Sequence, residues 1–386
     1  MKTKIMREIK MSRKFNSLFI VIMVAALVLS ACGAAANAST TTTGSSSSSL
    51  PAGSVQMNGA GSTFALPVYT DWIYTYQSVD PSVTLNYQGI GSGGGKKGVI
   101  DNTLDFAGSD SVLTADEYAA GKDLQMYPTL AGAIVPIYNV EGVTQPIILN
   151  GPVLAGIYST RITKWNDPAI AALNPGVNLP DAAITAVHRS DGSGTTEIFT
   201  NALSSFSADW KANVGAGTSV EWPVDKAGNG IGGKGNQGVA AVVQNTPNSI
   251  GYVELSFAIS NKITFADMVN QAGNKVTANA DSLASAMNDF ASSFTDKLTN
   301  TIVDGPGANS WPIAGYTYLI LHTTSMTDCV KAQKLLEFFK WALTDPTPAQ
   351  HAADLGYSVL PDAVRTQVLS KMGEVTCNGT PVLSNP

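Results

Sequence analysis

Charge is scarce in this chain of 386 residues: only 13% are Asp, Glu, Lys or Arg, and the formal balance is −6. A thinly charged, acidic body argues against a nucleic-acid partner and equally against long-range attraction of anions. Histidine is rarer still. The three histidines, His188, His322 and His351, show no metal-ligand spacing and no H-E-x-x-H pattern, so neither a metal nor a cofactor is expected. A G-x-S-x-G elbow is missing, because in Gly192-Ser193-Gly194 glycine directly flanks the serine. A G-x-x-x-x-G-K-[ST] phosphate loop is missing too; Gly93-Gly94-Gly95-Lys96-Lys97 only echoes one, and its lysines are expected to face solvent. Nothing marks bond-breaking chemistry, and the chain reads as a binder rather than an enzyme. Beyond the first fifty residues no apolar run is long enough to span a membrane.

The first fifty residues differ from the rest. Lys2, Lys4, Arg7, Lys10, Arg13 and Lys14 precede an apolar run from Leu18 to Leu29, which ends in Leu29-Ser30-Ala31-Cys32-Gly33. Basic, apolar, then small residues is a secretory layout, and the cysteine after Leu-Ser-Ala resembles a bacterial lipobox. Residues 1–32 are therefore read as a lipoprotein signal peptide with Cys32 as the lipidated N-terminus, the alternative being a plain signal with an incidental cysteine. Residues 33–53, almost all Ala, Ser, Thr and Gly, read as a flexible linker. The body is then held outside the cytoplasmic membrane by its lipid, at the cell surface or in a periplasm. In such an oxidising place Cys329 and Cys377 either pair or stay as two buried thiols, and sequence carries no geometry to choose.

The remaining 330 or so residues suggest two domains. Strand-like runs alternate with helix-like ones, as in α/β proteins. Val83–Tyr87, Leu104–Ala107 and Ile184–Val187 read as short strands, each running into a glycine-rich turn. Tyr69, Trp72, Ile73 and Tyr76 have helical i, i+3, i+4, i+7 spacing, and their aromatic stripe is assigned to the core. Thr114-Ala115-Asp116-Glu117 fits a capping box. Ile198, Phe199, Ala202 and Leu203 form the buried face of a helix starting near Ser193, and Leu335–Trp341 reads as a buried helix ending before Pro346. Two apolar runs, Ala133–Tyr138 and Tyr316–Leu321, are candidate paired crossover strands. They would divide the chain into two lobes with a cleft between them.

Four turns carry the chemistry: Gly59–Phe64, Gly91–Gly95, Phe106–Asp110 and Arg189–Thr196, three of them leading directly into helix starts. Unpaired N–H groups and the helix dipole favour an anion at such places. Hydroxyls of Thr63, Ser92, Ser193 and Thr195 can each donate one hydrogen bond, and the N–H groups of Phe64, Gly194 and Thr195 add more. Arg189 offers a two-pronged contact to an oxyanion. Asp191 either steadies that guanidinium or is a simple turn aspartate, and His188 either lines the site or stands by. Asp110 decides the ligand. An ionised carboxylate only accepts hydrogen bonds, so it repels a proton-free anion such as sulfate and accepts the proton that phosphate keeps near neutral pH. The alternative for Asp110 is a helix cap.

Together with Trp165-Asn166-Asp167, Gly235–Val239 and Ser249–Glu254, these turns resemble the phosphate-binding protein family of high-affinity phosphate ABC importers, from about Gly59 to Pro361. The resemblance implies an α/β, two-lobed periplasmic-binding-protein fold of type II, with mixed sheets flanked by helices and the ligand cleft between lobes. Its lobes would be residues 54–132 with 311–386, and residues 133–310. It further implies inorganic phosphate held by Thr63, Phe64, Ser92, Asp110, Arg189, Ser193, Gly194 and Thr195, with Asp191 supporting Arg189, and transmembrane permease subunits as partners of a monomer. His188 stands where the family commonly has a second basic residue, Asp225–Gly233 is long, and Cys329 and Cys377 are no family hallmark. The rivals are a receptor for another oxyanion such as sulfate or molybdate, a secreted phosphatase on the same fold, and an adhesive surface protein.

Overall fold

In the computed structural model residues 54–143 and 145–383 are described; the expected signal peptide, Cys32 and the linker at 33–53 lie outside them. The chain opens as β1 (Val55–Gly61), α1 (Leu66–Val79), β2 (Val83–Gly89), α2 (Ser92–Ile100), β3 (Phe106–Ser109), α3 (Ala115–Gly121) and β4 (Leu124–Asn139). The later elements that frame the site are β5 (Thr185–Arg189), α4 (Gly194–Phe206), β6 (Gly230–Gly233), α5 (Gly235–Asn245), β7 (Ser249–Glu254), β8 (Ala314–His322), α6 (Cys329–Thr344) and β9 (Ser358–Val359).

One nine-stranded mixed sheet runs β2-β1-β3-β8-β4-β7-β5-β6, with β9 also pairing with β4. Strands β1, β2 and β3 are mutually parallel at one end, and β5, β6 and β7 at the other. Antiparallel pairings of β8 with β3 and β4, and of β4 with β7, join the two halves. The two-lobed α/β architecture follows: each half is a parallel wing with its own helices, and β4 belongs to both. Leu124–Ala133 of β4 pairs with β8, whereas Ile134–Asn139 pairs with β7.

That register corrects one detail of the sequence reading. Tyr316–Leu321 does form a strand, but it pairs with residues 125–131, while the run after Ala133 faces β7. The apolar stretch visible in the sequence is only the second part of a strand of 16 residues, whose first part contains Pro128. Proline cannot donate to a ladder and is tolerated at a bulge. Here Thr317 opposes Leu130 and Tyr318 opposes Pro128, so Thr129 is the extra residue of a bulge.

Other elements form for the reasons their residues suggest. The stripe Tyr69, Trp72, Ile73 and Tyr76 is buried along α1, with the Tyr69 and Trp72 rings stacked 5.7 Å apart. Thr114 and Glu117 close a capping box on α3. Ser193 caps α4 by accepting the Thr196 N–H at 3.0 Å, and Ile198, Phe199, Ala202 and Leu203 are buried on that helix. Asp328 caps α6, which ends at Thr344, two residues before Pro346. Strand β3 begins two residues later than the sequence suggests, because the Thr103 and Leu104 N–H groups still close a turn onto the Gly98 carbonyl. Lys96 departs from expectation. It is buried, donating to Glu117 at 3.0 Å and to the Val112 carbonyl at 3.2 Å, because its position on α2 faces α3; Lys97 is the exposed one.

Cys329, the first residue of α6, is disulfide-bonded to Cys377, with Cα atoms 5.4 Å apart and a separation of 48 positions in sequence. No helix among the described residues is long and apolar enough to cross a membrane. Closing a loop of that length restricts the unfolded chain, an effect worth about 4 kcal/mol on chain-entropy grounds. Replacing both cysteines by alanine is expected to lower the urea midpoint by that equivalent, and reductant should then leave the variant's midpoint unmoved.

Candidate functional site

Helices α1, α2 and α5 each start just after a strand, β1, β2 and β6 respectively, and α4 starts just after β5. Their first turns meet where the two halves of the sheet touch. The Gly93 N–H donates to the Gly192 carbonyl at 3.0 Å across that boundary. Gly91, at φ +87°, lies against the Asp191 carboxylate, where a Cβ would collide with Oδ2. A Cβ on Gly194 would sit 2.6 Å from both Ser92 Oγ and the Ser111 nitrogen. Glycine at these two positions is what allows the turns to close on one another.

Arg189, buried at the end of β5, is gripped by Asp191: Nε donates to Oδ1 at 2.7 Å and Nη2 to Oδ2 at 2.6 Å. Nη1 donates to Thr195 Oγ1 at 3.3 Å. Guanidinium has five N–H donors, so these three bonds leave one hydrogen on each terminal nitrogen, a two-pronged face for an oxyanion. Asp191 also accepts the Gly235 N–H at 3.0 Å. Burial alone would raise its pKa, but its bonds to Arg189 hold the carboxyl below the usual range. The pair is therefore charged and internally neutral.

The remaining expected ligands surround it. Ser92, Ser193 and Thr195 are buried, and Gly194 and Thr195 present N–H groups that the first turn of α4 does not use. Thr63 is buried just before α1, and Phe64 is fixed by its own carbonyl, which accepts the Tyr357 hydroxyl at 2.7 Å. Asp110, buried beyond β3, is the one acceptor among these donors. Its Oδ1 accepts the Ser62 hydroxyl and, at 2.9 Å, the Thr317 hydroxyl, which the pairing of Tyr318 with Ser109 brings beside it. Among the described residues its Oδ2 has only the Ser92 hydroxyl, at a long 3.4 Å. Burial pushes the Asp110 carboxyl up to about 6, against the bonds from Ser62 and Thr317 and the charge of Arg189. His188 turns away: Nε2 lies 2.8 Å from Asp225, Nδ1 3.0 Å from the Arg189 carbonyl, and the ring stacks on Trp222 at 4.9 Å.

Residues that sequence reasoning did not select complete the cluster. Asn236, in the first turn of α5, donates through Nδ2 to Thr63 at 2.9 Å and to Thr195 at 3.1 Å. Glu254 lies at the end of β7, fully buried, with Oε2 accepting the Tyr357 hydroxyl at 2.8 Å, the Ser256 N–H at 2.9 Å and the Ser256 hydroxyl. Its other oxygen has no partner among the described residues. Both residues stand in stretches the resemblance rests on, Gly235–Val239 and Ser249–Glu254, which is the only signal that pointed to them.

Burial drives Glu254 up to about 8, so the folded protein binds this proton more tightly than the unfolded chain does. The stability that comes from it is complete below the ordinary carboxyl range and is lost as pH rises through about 8. Glu254→Gln is accordingly expected to melt several degrees above the parent near pH 9 and together with it near pH 5, a pattern that thermal denaturation across that range would check.

A family model described as a PBP superfamily domain matches residues 35–346. The phosphate-binding protein PstS of Xylella fastidiosa is 40% identical over 316 residues, which are 82% of this chain and 84% of that protein. PstS of Pasteurella multocida is 41% identical over 310 residues, 80% and 87% of the two chains. Among solved structures, a human phosphate binding apolipoprotein shares the fold with a TM-score of 0.68 at 20% identity, covering 84% of this chain and 99% of that one. A phosphate binding protein from Stenotrophomonas maltophilia does so at 0.61 and 20% identity, covering 82% and 93%. The wings, the shared strand and the sequence likeness agree: this chain belongs to the PBP superfamily and to its family of PstS phosphate-binding proteins.

Proposed function

We propose that the protein captures inorganic phosphate between its lobes, outside the cytoplasmic membrane, and delivers it unchanged to the permease subunits of an ABC-type phosphate importer. The lobes are residues 54–132 with 311–386, and residues 133–310. The ligand groups are Thr63, the Phe64 N–H, Ser92, Asp110, Arg189, Ser193, the Gly194 N–H and Thr195. Lipid on Cys32 and the linker at 33–53 tether a monomeric body to the membrane.

One observation carries this reading. A single carboxylate, Asp110, sits in a shell otherwise made of donors, and its Oδ2 keeps an acceptor site that, among the described residues, only the distant Ser92 hydroxyl addresses. Phosphate brings three or so oxygens that want donors and one hydrogen that wants an acceptor. Sulfate brings no hydrogen, so it would leave Oδ2 unpaired and face a like charge. Discrimination of this kind reaches roughly 10⁴ to 10⁵. Charge-assisted bonds contribute about 1.5 to 3 kcal/mol each, whereas a micromolar complex needs about 8 kcal/mol. The surplus offsets desolvation of the ion and the ordering that accompanies lobe closure. A permease that prefers the closed form then reads occupancy from shape.

Calorimetry near pH 8 is expected to show tight phosphate binding and at least a thousandfold weaker sulfate binding; equal affinities would overturn the proposal. The sign of the pH effect follows from Asp110. Below about 6 its carboxyl is protonated and can donate to sulfate, and above about 6 it is ionised and repels it. Sulfate affinity should therefore fall about tenfold per pH unit above that point and level off below it. Asp110→Asn should flatten this dependence and narrow the gap between the two anions.

A further inference from the structure

The hydroxyls around the site take their direction from one amide. Asn236 is fully buried, and its Oδ1 accepts the Glu254 N–H at 2.9 Å, which fixes which end of the side chain is oxygen. Both Nδ2 hydrogens are then committed, one to Thr63 Oγ1 at 2.9 Å and one to Thr195 Oγ1 at 3.1 Å. Thr63 Oγ1 also accepts the Asn236 backbone N–H at 3.1 Å, and Thr195 Oγ1 also accepts Arg189 Nη1 at 3.3 Å. A hydroxyl has two lone pairs and one hydrogen. On both threonines the two lone pairs are occupied, so each hydroxyl has only its hydrogen left to offer.

We propose that Asn236 is a positioning residue that sets specificity: by filling the lone pairs of Thr63 and Thr195 it makes both hydroxyls donate only, so a protonated ligand oxygen is refused at both and the ligand's hydrogen is directed to Asp110 Oδ2. This rests on the phosphate reading and adds to it a reason for the ion's orientation. It also gives Asn236 a second task, because the amide joins the turn before α1 in one half of the sheet to the start of α4 in the other. Without the amide, each threonine regains a lone pair and can accept a hydrogen from the dihydrogen form of phosphate.

The test is calorimetry of phosphate on the parent and on Asn236→Ala, near pH 5.5 and near pH 8.5, either side of the ligand's second ionisation. Around the cluster Arg189 and Asp191 stay paired, whereas Asp110 and Glu254 change protonation between these pH values; the parent shares all four, so the ratio of variant to parent affinity at each pH divides their effect out. Loss of oriented donors is expected to weaken binding about ten- to hundredfold near pH 8.5 and at least threefold less near pH 5.5. Equal losses at the two pH values, which a purely structural role would give, overturn the inference, as does no loss at all. If the alanine variant does not fold, Asn236→Ser is read in the same way, its side chain being too short to reach both threonines. A parent protein that binds no phosphate at either pH sinks the functional reading itself, which keeps the two failures apart.

Discussion

The buried pair of Arg189 and Asp191 is the constraint on which the site depends. An unpaired guanidinium in this dry place would be strongly destabilising. Paired through two short bonds, it becomes a neutral, rigid object that still has hydrogens to offer. The same carboxylate receives the first N–H of α5 through Gly235 and packs against Gly91 from the opposite half of the sheet. One aspartate thus fixes the orientation of the arginine, the start of a helix and the approach of a neighbouring turn. Remove it, and three otherwise unrelated segments lose their common reference.

Because that pair cancels its own charge, recognition is shared among the remaining hydrogens of Arg189, hydroxyls, helix N-termini and a single acceptor. This suits a body with a net charge of −6, which has no broad positive field to draw anions in. Specificity then becomes a matter of counting hydrogens and lone pairs. Asp110 has its inner oxygen saturated by Ser62 and Thr317 and its outer one nearly unused. Its raised pKa reflects how poorly the buried site solvates a second negative charge. Strand register contributes directly, since the pairing of Tyr318 with Ser109 puts Thr317 beside Asp110.

Much of the fold was legible because the relevant signals are local. The stripe on α1, the box at Thr114 and Glu117, and the strand-to-turn transitions before Asp110 and Arg189 each depend on a handful of adjacent residues. Turns rich in glycine and hydroxyls drew attention to Thr63, Ser92, Ser193 and Thr195 for the same reason. What escaped notice depends on distant pairing. Lys96 looks exposed beside a glycine run and is buried only because Glu117 arrives from α3. Asn236 resembles any turn asparagine until Thr63 and Thr195, far away in sequence, supply its partners. Glu254 ends a strand like many surface glutamates, and nothing local announces its burial. The first half of β4 offers no unbroken apolar run, since Gln125, Pro128 and Thr129 interrupt it, and its bulge shows only once β8 is in place.

Strand β8 comes from the last fifth of the chain, yet it lies in the middle of the sheet, between β3 and β4 from the first 140 residues. Until about 320 residues exist, β3 and the Leu124–Ala133 part of β4 lack the strand that joins them, so an N-terminal fragment presents two raw strand edges rather than a finished sheet. Architecture of this kind has high contact order and slow closure. It postpones completion of the central sheet until most of the chain has been made.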